Sequence, residues 1–242
     1  MEQNNDDLLT ISEAAELLGV SIMTLRRWDE NGRLVSIRKK EGGNRYYRKT
    51  DIEVFLSDLF EIAKDWVLND SDLPESFYCQ NSAVFQSRLI KMETLMLQST
   101  LVENFSSKIV SIAGEIGNNS FDHNLAQWPD IPGIFFAYDL NKKQIVLADR
   151  GLGVMKTLKR VKPEIENDKQ ALNVAFTEII SGRAPEERGN GLKYVKFIIS
   201  KNSINLFFQT GNAVLNLSAN NSELKISEAK DNFHGCLVLI KW

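Results

Sequence analysis

The feature that most constrains this chain is a pair of short helices meeting at a single glycine near its start. Thr10 stands as a capping residue before Ile11, Ala14, Ala15, Leu17 and Leu18, which recur at helical spacing, and Gly19 ends the run. Ser21 then caps a second helix, whose Met23, Leu25 and Trp28 are expected to face inward while Thr24, Arg26 and Arg27 stay largely outside. Two helices so joined make a helix-turn-helix. Leu34 to Arg38 and Arg45 to Arg48 read as short strands on either side of the turn-forming Gly42, Gly43 and Asn44, and a further helix carrying Ile52, Phe55 and Leu56 begins at Thr50. The strand-loop-strand is the expected wing.

Charge is concentrated in the same place. From Thr24 to Lys49 there are nine basic and three acidic residues, although the formal net charge of all 242 residues is -3. That balance argues against a protein that coats nucleic acid over its whole surface and leaves room for one basic face. Thr24, Arg26 and Arg27, with Ser21 at the helix start, are the candidates for a major groove of double-stranded DNA, where guanidinium groups read guanine and hydroxyls hold phosphate. On the wing, Arg45, Tyr46 and Arg48 would grip backbone or minor groove. Leu25, Trp28 and Leu34 read as core, whereas Tyr46 and Tyr47 suit packing and DNA contact equally.

This N-terminal pattern, from Leu9 to Ser21, through Thr24-Leu25-Arg26-Arg27-Trp28, to Gly43-Asn44-Arg45-Tyr46-Tyr47, resembles the MerR-type and excisionase-type winged helix-turn-helix over roughly Leu8 to Leu56. The composition of the whole chain is ordinary for a soluble globular protein, with 43% apolar and 25% charged residues. No run approaches the roughly 18 apolar residues of a spanning helix, and the acidic first residues are unlike a signal peptide. Cys79 and Cys236 form no C-x-x-C pair, so a reducing, cytoplasmic location without a membrane partner is expected.

Three segments carry chemistry in the second half. Glu115 and Asn119 lie four residues apart on a predicted helix and so share a face, with Asp122 or His123 two turns along. A carboxamide oxygen there suits Mg²⁺, while Glu115 can orient or deprotonate a water as the candidate catalytic base. Asp149, Gly151 and Gly153 follow an apolar strand, so a carboxylate emerges where the backbone can turn close beneath a ligand. Gly189, Asn190, Gly191 and Leu192 open a helix, and free N–H groups at such an end suit phosphates.

In this order, Glu-x-x-x-Asn, Asp-x-Gly-x-Gly and Gly-x-Gly-Leu resemble the GHKL ATPases, the group of gyrase, certain heat-shock chaperones, histidine kinases and mismatch-repair proteins, over about Ser106 to Trp242. The resemblance implies ATP and Mg²⁺ as cofactors, with Asn119 on the metal and Asp149 accepting the adenine amino group. Gly151 and Gly153 would shape the adenine pocket, Gly189 and Gly191 would contact phosphates, and residues 159–188 would form a mobile lid. Cys236, after His234 and Gly235, stands where the family often has Gly-Thr, which implies a weaker water-mediated adenine contact. No histidine lies on the long helix before this region, so a phospho-accepting hairpin is not evident.

The expected fold is α+β: a winged helix-turn-helix at 1–58, a helical connector at 59–105 and, at 106–242, a GHKL (Bergerat-type) α/β sandwich with a mixed sheet. The function expected is an ATP-responsive, DNA-binding transcriptional regulator, acting as a homodimer on a palindromic site and open to a protein partner. The alternatives are an ATP hydrolase or a serine- or histidine-type protein kinase acting in trans, and an architectural or excision factor whose distal domain is a scaffold.

Overall fold

The computed structural model describes residues 8–30, 32, 34–38, 40, 42–98, 105–179, 191–219 and 223–242. The N-terminal unit runs β1 (Leu8–Thr10), α1 (Ile11–Leu18), α2 (Ile22–Glu30), β2 (Ile37–Arg38), β3 (Arg45–Arg48) and α3 (Lys49–Ser57). Thr10 and Glu13 form a reciprocal capping box that starts α1, and Gly19, in the left-handed region at φ 63°, ends it. The three-stranded antiparallel sheet has the order β1-β3-β2. Its core gathers Ala14, Leu18, Leu25, Trp28, Tyr47 and Ile52, and the buried Tyr47 hydroxyl donates to the Leu25 carbonyl at 3.1 Å.

Two expectations for this unit are corrected. β1 was not foreseen, because three residues are too few to display a period; it exists through pairing of Leu8–Thr10 with Tyr46–Arg48. Thr24, expected outside, is buried, while Met23, expected inside, is 68% exposed. At 100° per residue, Thr24 falls on the face of Leu25 and Trp28 and Met23 falls opposite.

The second unit begins with no spacer. Asp58 ends α3 and its side chain caps α4 (Leu59–Asn69) by accepting the Glu61 N–H at 3.3 Å. There follow a 3-10 turn at Glu75–Phe77, β4 (Tyr78–Cys79), α5 (Ser82–Gln98) and α6 (Ser106–Asn124). Next come β5 (Ile134–Asp139), β6 (Gln144–Asp149), α7 (Gly153–Leu158), α8 (Asp168–Thr177), α9 (Gly191–Lys201), β7 (Asn205–Leu217) and β8 (Lys225–Lys241). The sheet order is β4-β5-β6-β8-β7. An α+β fold is what the sequence predicts, but the sheet is antiparallel throughout rather than mixed. β7 runs in the same sense as β6 after the helical crossover, yet its hairpin partner β8 inserts between them, so no parallel strands become neighbours.

Helices cover both faces. On one side α5, α6, α8 and α9 bury a core around Phe85, Met92, Ile112, Phe136, Phe208 and Val238. On the other, α4 lays Leu59, Ile62, Ala63, Trp66 and Val67 against Phe135, Val146 and Leu237. Because both faces are covered, β6 is buried at all six positions. Residues expected to connect two domains therefore supply a helix layer, an edge strand and the long α5 to this sheet. α8, on part of the expected lid, is a packed helix whose Phe176 meets Phe208 edge-on at 5.6 Å; residues 180–188 of that lid lie outside the described residues. Among the described residues no helix is long and apolar enough to cross a membrane.

Candidate nucleic-acid interface and candidate nucleotide site

Of the seven residues expected to meet DNA, Ser21, Arg26, Arg27 and Arg48 are exposed. Ser21 caps α2, its Oγ accepting the Thr24 N–H at 3.0 Å. Thr24 is 3% exposed and its Oγ1 donates to Asp72 Oδ2 at 2.5 Å, so it is turned to an internal partner. Arg27 donates to the same oxygen at 2.7 Å. Arg45 is also engaged: its Nε donates to Asp29 at 2.6 Å and a terminal nitrogen lies 3.4 Å from Glu30, so it braces the wing on α2. Tyr46 is half-buried, and Arg48 lies 3.8 Å from Asp51. The exposed side of α2 thus carries Ile22, Met23, Arg26, Arg27 and Glu30, with the cap Ser21 before them; Met23 was missed by the sequence reading.

Asp29 is held strongly ionised. Burial would raise its carboxyl, but Arg45, the Ser36 N–H at 2.7 Å and Arg38 at 3.3 Å bring it down to about 2.

The second site is built around α6. Asp149 ends β6 with 2% of its surface exposed; Ser120 Oγ donates to its Oδ2 at 2.7 Å and the Gly151 N–H to its Oδ1 at 2.9 Å. Cys236 is the cross-strand partner of Asp149 and its thiol also donates to that carboxylate. Burial lifts Asp149 above the ordinary carboxylate range against the pull of these donors. Burial, and then the Asp149 charge, push the Cys236 thiol far up, so it stays a protonated donor. A carboxylate has about four acceptor positions, so three donors leave one for a ligand N–H.

One helical turn beyond Ser120, Asn124 lies under the Asp-x-Gly-x-Gly turn. Its Nδ2 donates to the Ser120 carbonyl and its Oδ1 accepts the Leu152 N–H, both at 2.7 Å. A methyl group on Gly151 would stand 2.1 Å from Asn124, and Gly153 adopts φ 76°, so both positions require glycine. Thr210 accepts the Val154 N–H at 3.1 Å and donates to the Gly235 carbonyl at 2.8 Å, closing the turn against β8. His234 Nδ1 is 3.1 Å from the Gly151 carbonyl. Arg150, almost buried over the Trp66 ring, bonds Asp70 and Asp130.

Glu115 and Asn119 face the start of α9. A methyl group on Gly191 would stand 2.5 Å from Glu115 Oε2 and 3.6 Å from Asn119 Nδ2, so the α9 backbone reaches both with nothing between. The three expected segments therefore converge along α6: Ser120 and Asn124 on Asp149 and its turn, Glu115 and Asn119 on Gly191. His123 is half-buried on the Glu115–Asn119 side, and Leu192 is half-buried beside Gly191. Asp122 is exposed, turned from Asp149 by the helical period. Gly189 and Asn190 lie outside the described residues.

Chemically, the residues along α6 offer a fixed buried carboxylate in Asp149, an oxygen donor in Asn119, a half-buried carboxylate in Glu115 and a close glycine backbone. That set fits a magnesium nucleotide: Asn119 and the ligand's own phosphates would supply oxygen to the metal, and Asp149 would take an exocyclic amine. Ser120, Asn124 and Thr210 were missed by the sequence reading. Ser120 and Asn124 sit i, i+4 on the same helix as the Glu-x-x-x-Asn pair, which was the available signal.

Residues 10–47 match the family described as MerR family regulatory protein, so a MerR-family helix-turn-helix occupies the N-terminal segment. Over 57 residues the chain is 44% identical to the Type II methyltransferase M.Eco47II of Escherichia coli, covering 24% of this chain and 14% of that protein. Over 75 residues it is 35% identical to the Transcriptional repressor DcmR of Methylorubrum extorquens, covering 31% of this chain and 28% of that protein. The chain thus spans a minor part of the length of either curated relative.

Proposed function

We propose that the protein is a DNA-binding transcriptional regulator whose helix-turn-helix reads a duplex and whose sheet unit binds Mg-ATP in a GHKL-type pocket. The observation that carries the first half is the exposed side of α2, bearing Arg26 and Arg27 after the cap Ser21 within a segment matching the MerR family, beside a wing ending in Arg48. The likeness to a protein named as a transcriptional repressor supports the same reading. In this proposal the reading unit ends near Asp58, and residues 59–105 belong with 106–242, since α4 and α5 line the sheet's two cores. A homodimer on a palindromic site would double a small contact area.

The nucleotide half is supported by the convergence of Asp149, Asn119 and Gly191 along one helix. Glu115 at Gly191 also favours a second reading, ATP hydrolysis or phosphoryl transfer to a partner with Glu115 as base, for which Glu115→Gln should abolish turnover while retaining ATP binding.

Selection of a duplex from a randomised pool, followed by anisotropy titration across a salt series, tests the DNA reading; no preference over scrambled duplex would sink it. Titration of Mg-ATP by calorimetry, with and without the selected duplex, tests the coupling, which must appear reciprocally in both affinities.

A further inference from the structure

Residues 70–77 run as a strap from the end of α4, across the helix-turn-helix, to β4. Both ends are fastened to the sheet unit. Asp70 bonds the guanidinium of Arg150, the residue after Asp149, and Arg88 on α5 donates to the carbonyls of Ser76 at 2.7 Å and Glu75 at 3.1 Å. The middle of the strap is fastened to the reading unit. Glu75 N–H donates to the carbonyl of Gly19, the turn glycine, at 3.3 Å, and Asp72 Oδ2 accepts from Thr24 Oγ1 at 2.5 Å and from Arg27 at 2.7 Å.

A hydroxyl and a guanidinium converging on one anionic oxygen are what a backbone phosphate of a duplex would receive from the same two side chains. We propose that Asp72 stands in for a DNA phosphate and keeps the helix-turn-helix self-occupied, so that a duplex must displace the strap to engage Thr24 and Arg27. This rests on the DNA-binding reading above and names the regulation of that interface. The pair is half exposed, at 53% for Arg27 and 51% for Asp72, which makes the latch weak enough for a polyanion to open. Since Asp70 holds the residue next to Asp149, the latch is fastened beside the candidate nucleotide pocket.

The test uses the full chain and the duplex selected for the wild type. Asp72→Asn, which keeps an acceptor for Thr24 but loses the charge, should bind about threefold to tenfold tighter. Glu16→Gln, which removes one negative charge from the exposed side of α1, should not. In an Arg27→Ala background the gain from Asp72→Asn should shrink toward nothing. Hydrogen exchange of the 70–77 strap should also quicken when duplex is added to the wild type, whatever the variants do. Equal affinities for Asp72→Asn and Glu16→Gln, or a strap equally protected with duplex bound, overturn the latch while leaving DNA binding intact. Failure of both wild type and Asp72→Asn to bind any duplex overturns the latch and the DNA reading together.

Discussion

Asp29 on α2 accepts the Nε hydrogen of Arg45 on β3 at 2.6 Å, and through this contact the second helix and the wing hold a fixed angle. Arg45 is therefore worth more to the shape of the reading unit than as a free hand for phosphate, and the carboxylate that orders it is held well below the ordinary carboxylate range.

The unit should accordingly lose stability in acid at a defined place. Asp29 sits near about 3.9 in an unfolded chain and at about 2 when folded. A lowered folded value means that its contribution is complete above the unfolded value and disappears as pH falls through the folded one. Thermal melts followed by circular dichroism should therefore show a drop in Tm between about pH 4 and 2 that Asp29→Asn flattens, with Asp29→Asn already less stable at neutral pH. Parallel pH profiles for the two proteins would contradict this.

Asp149 is predicted to behave in the opposite sense. Its folded value is raised, so its contribution is complete below the unfolded value and is lost as pH rises through the folded one. Asp149→Asn should remove that neutral-pH penalty, leaving Tm unchanged or higher, while Mg-ATP affinity falls at least about tenfold for loss of a charged acceptor. Calorimetric titration and melts on the same samples separate these effects. A variant that binds nucleotide normally would detach Asp149 from the pocket.

Gly117 predicts a packing defect. A methyl group there would stand 2.2 Å from the ring of Phe85, which is fully buried and held edge-on by Phe136 at 5.1 Å. Alanine gains about 1 kcal/mol of helix propensity, but overpacking costs about 1–3 kcal/mol. Gly117→Ala should be destabilised in urea melts, and Phe85→Leu in the same chain should recover part of the loss. A Gly117→Ala protein more stable than wild type would show that α6 and α5 can separate freely.

Arg26 is exposed beside Met23 on the outward side of α2. Arg26→Ala should weaken the selected duplex by about tenfold and relax preference at one base pair if the guanidinium reads a base. A uniform loss across sequences, with a salt slope reduced by about one, would assign it to phosphate instead.

Several of these features were legible in the residues and others were not. Thr10, Gly19 and Ser21 announce the two helices because caps are local, and β6 was readable as the apolar strand that ends in Asp149. Asp149 and Gly191 were readable as candidates because turns and helix starts have local chemistry. Pairing is different: β1 exists through partners far away in sequence (Leu8 with Arg48, for example), and the insertion of β8 beside β6 depends on how a hairpin docks, so neither has a local signal. The polar stretch from Lys225 to Gly235 alternates too weakly to read as strand, and it forms one by pairing with the far half of β7. The role of Asp72 is likewise a long-range event, set by a 48-residue separation from Thr24 that no window can span.

The absence of any spacer at Asp58 has a mechanical corollary. One residue joins the reading head to the slab of sheet and helices, Phe55 of α3 packs against the slab's core, and the strap adds two hydrogen-bonded holds, one at Gly19 and one at Thr24 with Arg27. While the strap holds, the head is tied to the slab along two sides. In the latch proposed above, release of the strap would leave only the Asp58 joint and the Phe55 contact, about which the head would swing toward an approaching groove.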